Sequence, residues 1–131
     1  MPLGGTPGSP PPVGRLVLVV EDEFLIALDL ELLLRRHGWR VLGPAATVDQ
    51  ALRLLRDGET PDVALLDVNL GGEPVTPVAQ ELRARGVPFV LASAYDRLGL
   101  LRDAVLAAAP NVGKPTDERR LLAALARAVA P

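Results

Sequence analysis

The sequence predicts an α/β fold in which a parallel sheet is covered by helices on both faces. Three observations carry that prediction. Short, nearly all-apolar runs recur at Leu16–Val20, Asp62–Leu66 and Pro88–Ala92, as expected of strands buried on both sides. Longer stretches of helical period separate them, so strand and helix alternate. Polar and acidic residues then stand directly after the apolar runs, where strands of such a sheet surface. Right-handed crossovers restrict this alternation to a doubly wound arrangement, whose ligand sites lie beyond the carboxyl ends of the strands.

Each element has its own warrant. The first strand is Leu16–Val20, and a helix follows from about Glu23 to His37. Arg35, Arg36 and His37 suit the negative end of that helix dipole, and Gly38 is the glycine expected just past the end. A short strand spans Arg40–Leu42. Thr47–Val48–Asp49–Gln50 is a capping-box pattern that opens a helix reaching about Asp57. The third strand, Asp62–Leu66, ends at Asp67. "GGEP" reads as a loop, and Thr76–Pro77 as an N-cap followed by proline at the first helical position. That helix runs to about Arg85, ahead of a fourth strand at Pro88–Ala92. A weaker helix over 97–108 is interrupted by Gly99 and stops before Pro110. A short strand at Asn111–Gly113 and a helix from Asp117 to Val129 complete five strands and five helices.

Residues 1–14, "MPLGGTPGSPPPVG", hold five prolines, four glycines and no charged side chain, so they read as a disordered arm ahead of a single domain over 15–131. Bulk properties exclude several functions. With 131 residues and 49% hydrophobic composition the chain has material for one core. A net charge of −2 does not suggest nucleic acid as a direct partner. The absence of cysteine removes disulfides, thiol catalysis and thiolate metal sites. No apolar run approaches the length of a membrane span, and no secretory signal opens the chain, so a cytoplasmic setting is expected.

The strand ends carry the chemistry. Glu21 and Asp22 follow the first strand, Asp67 and Asn69 the third, Ser93 the fourth and Lys114 the fifth. Lys114 is the one lysine among fourteen basic residues. Three carboxylates and a loop carbonyl make an oxygen-rich site suited to Mg²⁺, which would relieve the repulsion among the acids. A carboxylate can serve as nucleophile toward phosphorus, with a cation, a lysine and a hydroxyl neutralising the transferring oxygens. Simpler roles compete at each position. Glu23 is favoured at a helix N-terminus by charge alone, Asp-x-Asn before Gly-Gly is good turn chemistry, and Ser93 suits a local cap. His37 suits a helix C-terminus, while Phe24 and Trp39 read as packing residues. The last helix is apolar over an arc wide enough to leave a remainder for a partner or for a homodimer.

The segments "LVLVVEDE", "VALLDVNLGG", "FVLASAY" and "GKP" resemble the receiver domain of two-component response regulators, in particular short stand-alone receivers. The resemblance implies a flavodoxin-like (βα)5 three-layer sandwich with strand order 2-1-3-4-5. It implies Asp67 as phosphoacceptor, and Glu21, Asp22, Asp67 and the Asn69 carbonyl as Mg²⁺ ligands. Ser93 and Lys114 would bind the phosphoryl group, with Pro115 in the place of the family's cis-proline. Asn111 stands where many receivers carry a switch aromatic, and Tyr95 is a candidate for a different switch. The implied activity is a phospho-acceptor switch, not an enzyme acting on an external substrate. Its donor would be a histidine kinase or histidine phosphotransferase, and its output a downstream protein. Two rivals are a degenerate receiver that binds partners without phosphorylation and a small aspartate-nucleophile phosphohydrolase. The second usually needs an acid two residues past its nucleophile, where this chain has Asn69.

Overall fold

The computed structural model describes residues 14–92, 106, 109–113 and 117–130. In chain order these form β1 (Leu16–Val20), α1 (Phe24–Arg36), β2 (Arg40–Ala45), α2 (Val48–Asp57), β3 (Val63–Leu66), β4 (Asn69–Leu70), β5 (Glu73–Pro74), α3 (Thr76–Ala84), β6 (Phe89–Leu91) and α4 (Glu118–Val129). The main sheet is parallel with spatial order β2-β1-β3-β6. Asn111 bridges Leu91 in parallel, so the expected fifth strand is a single bridge beside β6 among the described residues. The first four positions of the expected strand order are thereby in place. Of the expected helix at 97–108, only Leu106 is described.

Why both helical layers form is visible in β1. Leu18 and Val20 join Ala64 and Leu66 in one apolar cluster, closed by residues of α2 and α3. Val17 and Val19 join Val63 and Leu65 in another, closed by residues of α1 and α4. Side chains alternate across a strand, so a strand apolar at every position must be covered on both sides.

Several boundaries differ from expectation for reasons that sequence periodicity does not carry. β2 runs to Ala45 because a bulge carries it past Leu42: Leu18 pairs with Leu42, yet Val20 pairs with Ala45. The extra residue lies at Gly43, whose φ is +98°, with Gly43–Pro44 in the cis form. A Cβ on Gly43 would come within 3.0 Å of the Val19 carbonyl oxygen, so no larger residue fits here. At α2, Thr47 Oγ1 accepts from the Gln50 N–H as a capping box requires, at 3.1 Å. Gln50 Oε1 reaches back to the N–H of Ala46, one residue earlier than in the standard box. α3 is capped by Val75, which places Thr76 and Pro77 inside the first turn. The backbone made that choice, because the Val75 N–H is already held by the Val68 carbonyl at 3.0 Å. Asp117, expected as the first residue of the last helix, is instead its N-cap, accepting from the N–H groups of Arg119 and Arg120. At the other end of the chain, Gly14 belongs to the ordered fold. Its N–H donates to Gly38 O and its carbonyl accepts from Arg40 Nε.

Two expectations about aromatic packing part ways. Trp39 is buried in the α1/α4 cluster, at 3% exposure. Phe24 is 75% exposed and packs into no core. The apolar remainder expected on the last helix is also elsewhere. Leu121, Ala124 and Leu125 of α4 are buried, whereas the exposed large apolar side chains among the described residues all lie on α1.

Candidate functional site

Strand pairing brings the acids together. Val20 of β1 stands beside Leu66 of β3 in parallel register, so the next residues, Glu21 and Asp67, leave the sheet side by side. Neighbouring strands are about 4.8 Å apart, which sets the spacing of the two chains at that point. Each backbone is pinned as it leaves. The Glu21 N–H donates to Ala45 O at 2.9 Å, and the Asp67 N–H donates to Val20 O at 2.9 Å. The first of these bonds depends on the Gly43 bulge, which advances Ala45 to the required level.

The carboxylates of Glu21, Asp22 and Asp67 offer oxygens that all lie within 4.8 Å of one another. Glu21 is 2% exposed and Asp67 7%, while Asp22 is half-buried at the rim. Glu21 Oε2 also accepts the Glu23 N–H at 3.2 Å, which holds the start of the β1–α1 loop over the site. At a separation of 4.8 Å two full charges repel by between roughly 1 and 3.5 kcal/mol, for dielectric constants from that of water to about 20. Three such charges, two of them shielded from water, favour a divalent cation among them. Only oxygen donors are present, and octahedral Mg²⁺ needs few protein ligands because it keeps several waters. The donor set therefore fits Mg²⁺ and lacks the nitrogen or sulfur that zinc prefers.

The "GGEP" segment is more than a loop. β4 and β5 form a two-stranded antiparallel hairpin in which Leu70 pairs with Glu73 and Asn69 with Pro74. Gly71 and Gly72 make its two-residue turn, with φ of +60° and +92°, the positive values a type I′ turn demands at both positions. Gly-Gly between two short runs was the signal for it in the sequence. The turn lies against the acids: a Cβ on Gly71 would sit 3.5 Å from Asp22 Oδ2. Glu73 extends the hairpin's reach, its Oε1 accepting from the Val48 N–H at the start of α2 at 3.4 Å. Gly71→Ala is expected to cost about 1 kcal/mol for a left-handed non-glycine residue. The same methyl group would meet Asp22 Oδ2 at ordinary van der Waals distance, so Mg²⁺ binding should be little changed. Urea unfolding and a Mg²⁺ titration followed by thermal melts would measure the two effects separately.

The other residues singled out from sequence divide clearly. Asn69 opens β4, two residues beyond Asp67. Ser93, Tyr95, Lys114 and Pro115 lie outside the described residues. Asn111 is half-buried, and its Oδ1 accepts the Gly113 N–H at 2.9 Å, so it closes a local turn at the position where an aromatic was the family expectation. His37 caps the C-terminal end of α1, thirteen helical residues away from the end that follows Asp22, and meets Glu118 Oε1 at 3.2 Å. Its role is structural, as its place before Gly38 suggested.

Comparison with known proteins agrees with this geometry. Residues 17–126 match the family model described as the response regulator receiver domain. The chain is 35% identical over 81 residues to the phyllosphere-induced regulator PhyR of Methylorubrum extorquens, covering 60% of this chain and 30% of that protein. It is 30% identical over 102 residues to the transcriptional regulatory protein PdtaR of Mycobacterium tuberculosis, covering 77% and 49%. The chain thus spans half or less of the length of these relatives. Among solved structures, the receiver domain of PhyR from Erythrobacter litoralis superposes with a TM-score of 0.79 at 29% identity, covering 91% of this chain and 95% of that one. A CheY-like receiver from Methanospirillum hungatei, at 22% identity and a TM-score of 0.75, shares the fold. No helix among the described residues is long and apolar enough to cross a membrane. With a matched segment over most of its length and an acidic cluster at the ends of β1 and β3, the chain belongs to the response regulator receiver family of two-component signal transduction.

Proposed function

We propose that this chain is a phospho-acceptor switch in which Asp67 takes a phosphoryl group with Mg²⁺ bound by Glu21, Asp22, Asp67 and the Asn69 carbonyl. The observation that carries this reading is the convergence of three carboxylates within 4.8 Å, with Asp67 nearly buried, in a receiver fold. A carboxylate oxygen of Asp67 attacks phosphorus while the bond from phosphorus to the donor breaks. With a phosphohistidine donor the P–N bond is lost, and the imidazole leaves carrying a proton. The product is an acyl phosphate on Asp67. Mg²⁺ supplies charge neutralisation for the transferring oxygens when bound. Glu21 and Asp22 hold it, and the burial of Glu21 keeps that charge in a poorly screened setting. By resemblance, Ser93 donates a hydrogen bond to the phosphoryl group, Lys114 pairs with it, and Tyr95 is the candidate reporter of phosphorylation.

The donor proposed is a histidine kinase or histidine phosphotransferase in the cytoplasm, and the output is a protein–protein contact. A hydrolase is disfavoured because Asn69 cannot give and retrieve a proton two residues past Asp67. A phosphorylation-independent receiver is disfavoured because all three acids are retained and clustered.

Intact mass after incubation with acetyl phosphate tests the proposal. A gain of one phosphoryl group, about 80 Da, is expected with Mg²⁺ and not with a chelator. The label should map to the peptide containing Asp67. No adduct under any condition would overturn it, and free phosphate without an adduct would turn the reading toward hydrolysis.

A further inference from the structure

Phe24, Leu25, Leu28 and Leu32 of α1 are 75%, 71%, 39% and 51% exposed. At about 100° per residue they fall within one stripe of the helix, about 100° wide. The stripe is not the core-facing side, which is Ala27, Leu30 and Leu34. Large apolar residues set contiguously on a surface mark an interaction face, because single scattered ones are the norm.

The charges around the stripe favour one occupant. At its upper end stand Asp22 and the exposed Glu23, and at its lower end Arg35 and Arg36. Arg35 is held by Glu31 at 3.0 Å, which leaves Arg36 as the outward cation at that end. No positive side chain lies between Phe24 and Leu34. A surface negative at one end, apolar in the middle and positive at the other is complementary to itself when two copies run antiparallel.

We propose that α1 is the contact face of a weak two-fold homodimer. Centred near Leu28, the antiparallel pair sets Leu25 of each copy against Leu32 of the other. Arg36 of each then reaches the level of Asp22 and Glu23 in its mate. A parallel pair would instead place arginine against arginine. Asp29, exposed at the edge of the stripe near the two-fold axis, brings two like charges together in water and limits the affinity. Because the stripe starts two residues from Asp22, the same contact covers the rim of the acidic site. On the phospho-acceptor reading above, dimer formation and access of a protein phosphodonor then exclude each other.

Sedimentation equilibrium on the full chain at low salt, with protein up to on the order of 100 μM, tests this in the range of small transient interfaces. The wild type should show a concentration-dependent dimer. Leu32→Glu should be monomeric with an unchanged circular dichroism spectrum, since Leu32 is on the surface. Arg36→Glu should weaken the dimer by about tenfold, and Glu23→Arg combined with Arg36→Glu should restore it. The charge swap separates this proposal from the phospho-acceptor reading, because it reads association without any phosphoryl donor. A wild type monomeric throughout would overturn it and assign the stripe to a different protein or to residues 1–13. So would a dimer indifferent to Leu32→Glu, or a swap that fails to restore pairing.

Discussion

Asp67→Asn is expected to abolish the Mg²⁺-dependent phosphoryl adduct completely while leaving the protein folded. The amide has nearly the shape of the carboxylate but lacks the charged oxygen that attacks phosphorus. The same change should stabilise the metal-free protein. Asp67 is 7% exposed and shares a site with two other carboxylates within 4.8 Å, so neutralising it removes two repulsions. Each is worth between roughly 1 and 3.5 kcal/mol by Coulomb's law. Part of that gain is offset by the cost of keeping an amide in a buried place shaped for a carboxylate, so a net increase of about 1 kcal/mol is expected. Mg²⁺ should then act in the opposite sense. Wild type gains about 2.7 kcal/mol at a Mg²⁺ concentration one hundred times the dissociation constant, and the variant should gain much less. Urea midpoints with and without Mg²⁺, paired with intact mass, give all three quantities. An Asp67→Asn protein that still acquires a phosphoryl group on the same peptide would refute the assignment.

Leu18→Ala should produce the largest loss of stability of any single truncation considered. Leu18 is fully buried in β1, which has β2 on one side and β3 on the other. It packs in the cluster that α2 and α3 close. Removing three carbon atoms from such a place costs the lost transfer energy plus the cavity left behind, about 2–5 kcal/mol. Since a domain of this size is held by only about 5–15 kcal/mol, the variant should have a much lower urea midpoint. The urea m-value should be unchanged, because the surface exposed on unfolding is nearly the same. A loss below about 1 kcal/mol would mean that α2 and α3 close over the gap, and that the layer is looser than its burial implies. Leu32→Ala on the exposed stripe of α1 is the natural control, with an expected change within about 0.5 kcal/mol.

The contrast between those two leucines marks how far the sequence could be read. Both are leucines in apolar runs, and what separates them is the kind of element each run forms. β1 is apolar at all five positions, so its burial on both faces was legible, and with it the layered α/β class. α1 is apolar around most of its circumference, so its buried side was not legible, and Phe24 was misread as a packing residue. The cap made by the Thr47 side chain was readable because donor and acceptor are neighbours in the chain. The cap at Val75 was not, because it is set by a backbone bond to Val68 across the β4–β5 hairpin.

The candidate site divides in the same way. Acids immediately after two apolar strands, in a fold whose ligands lie at strand ends, could be seen in the sequence, and the amino acids determined the chemistry available there. Tertiary structure alone decided that Glu21, Asp22 and Asp67 meet. That depends on the register of Val20 with Leu66 and on the bulge at Gly43 that brings Ala45 level with Glu21. Local sequence specifies which conformations a segment prefers, through side-chain period and short-range hydrogen bonds. The distance between residues 46 positions apart in the chain is set by strand pairing, whose energy is spread over every residue the strands bury.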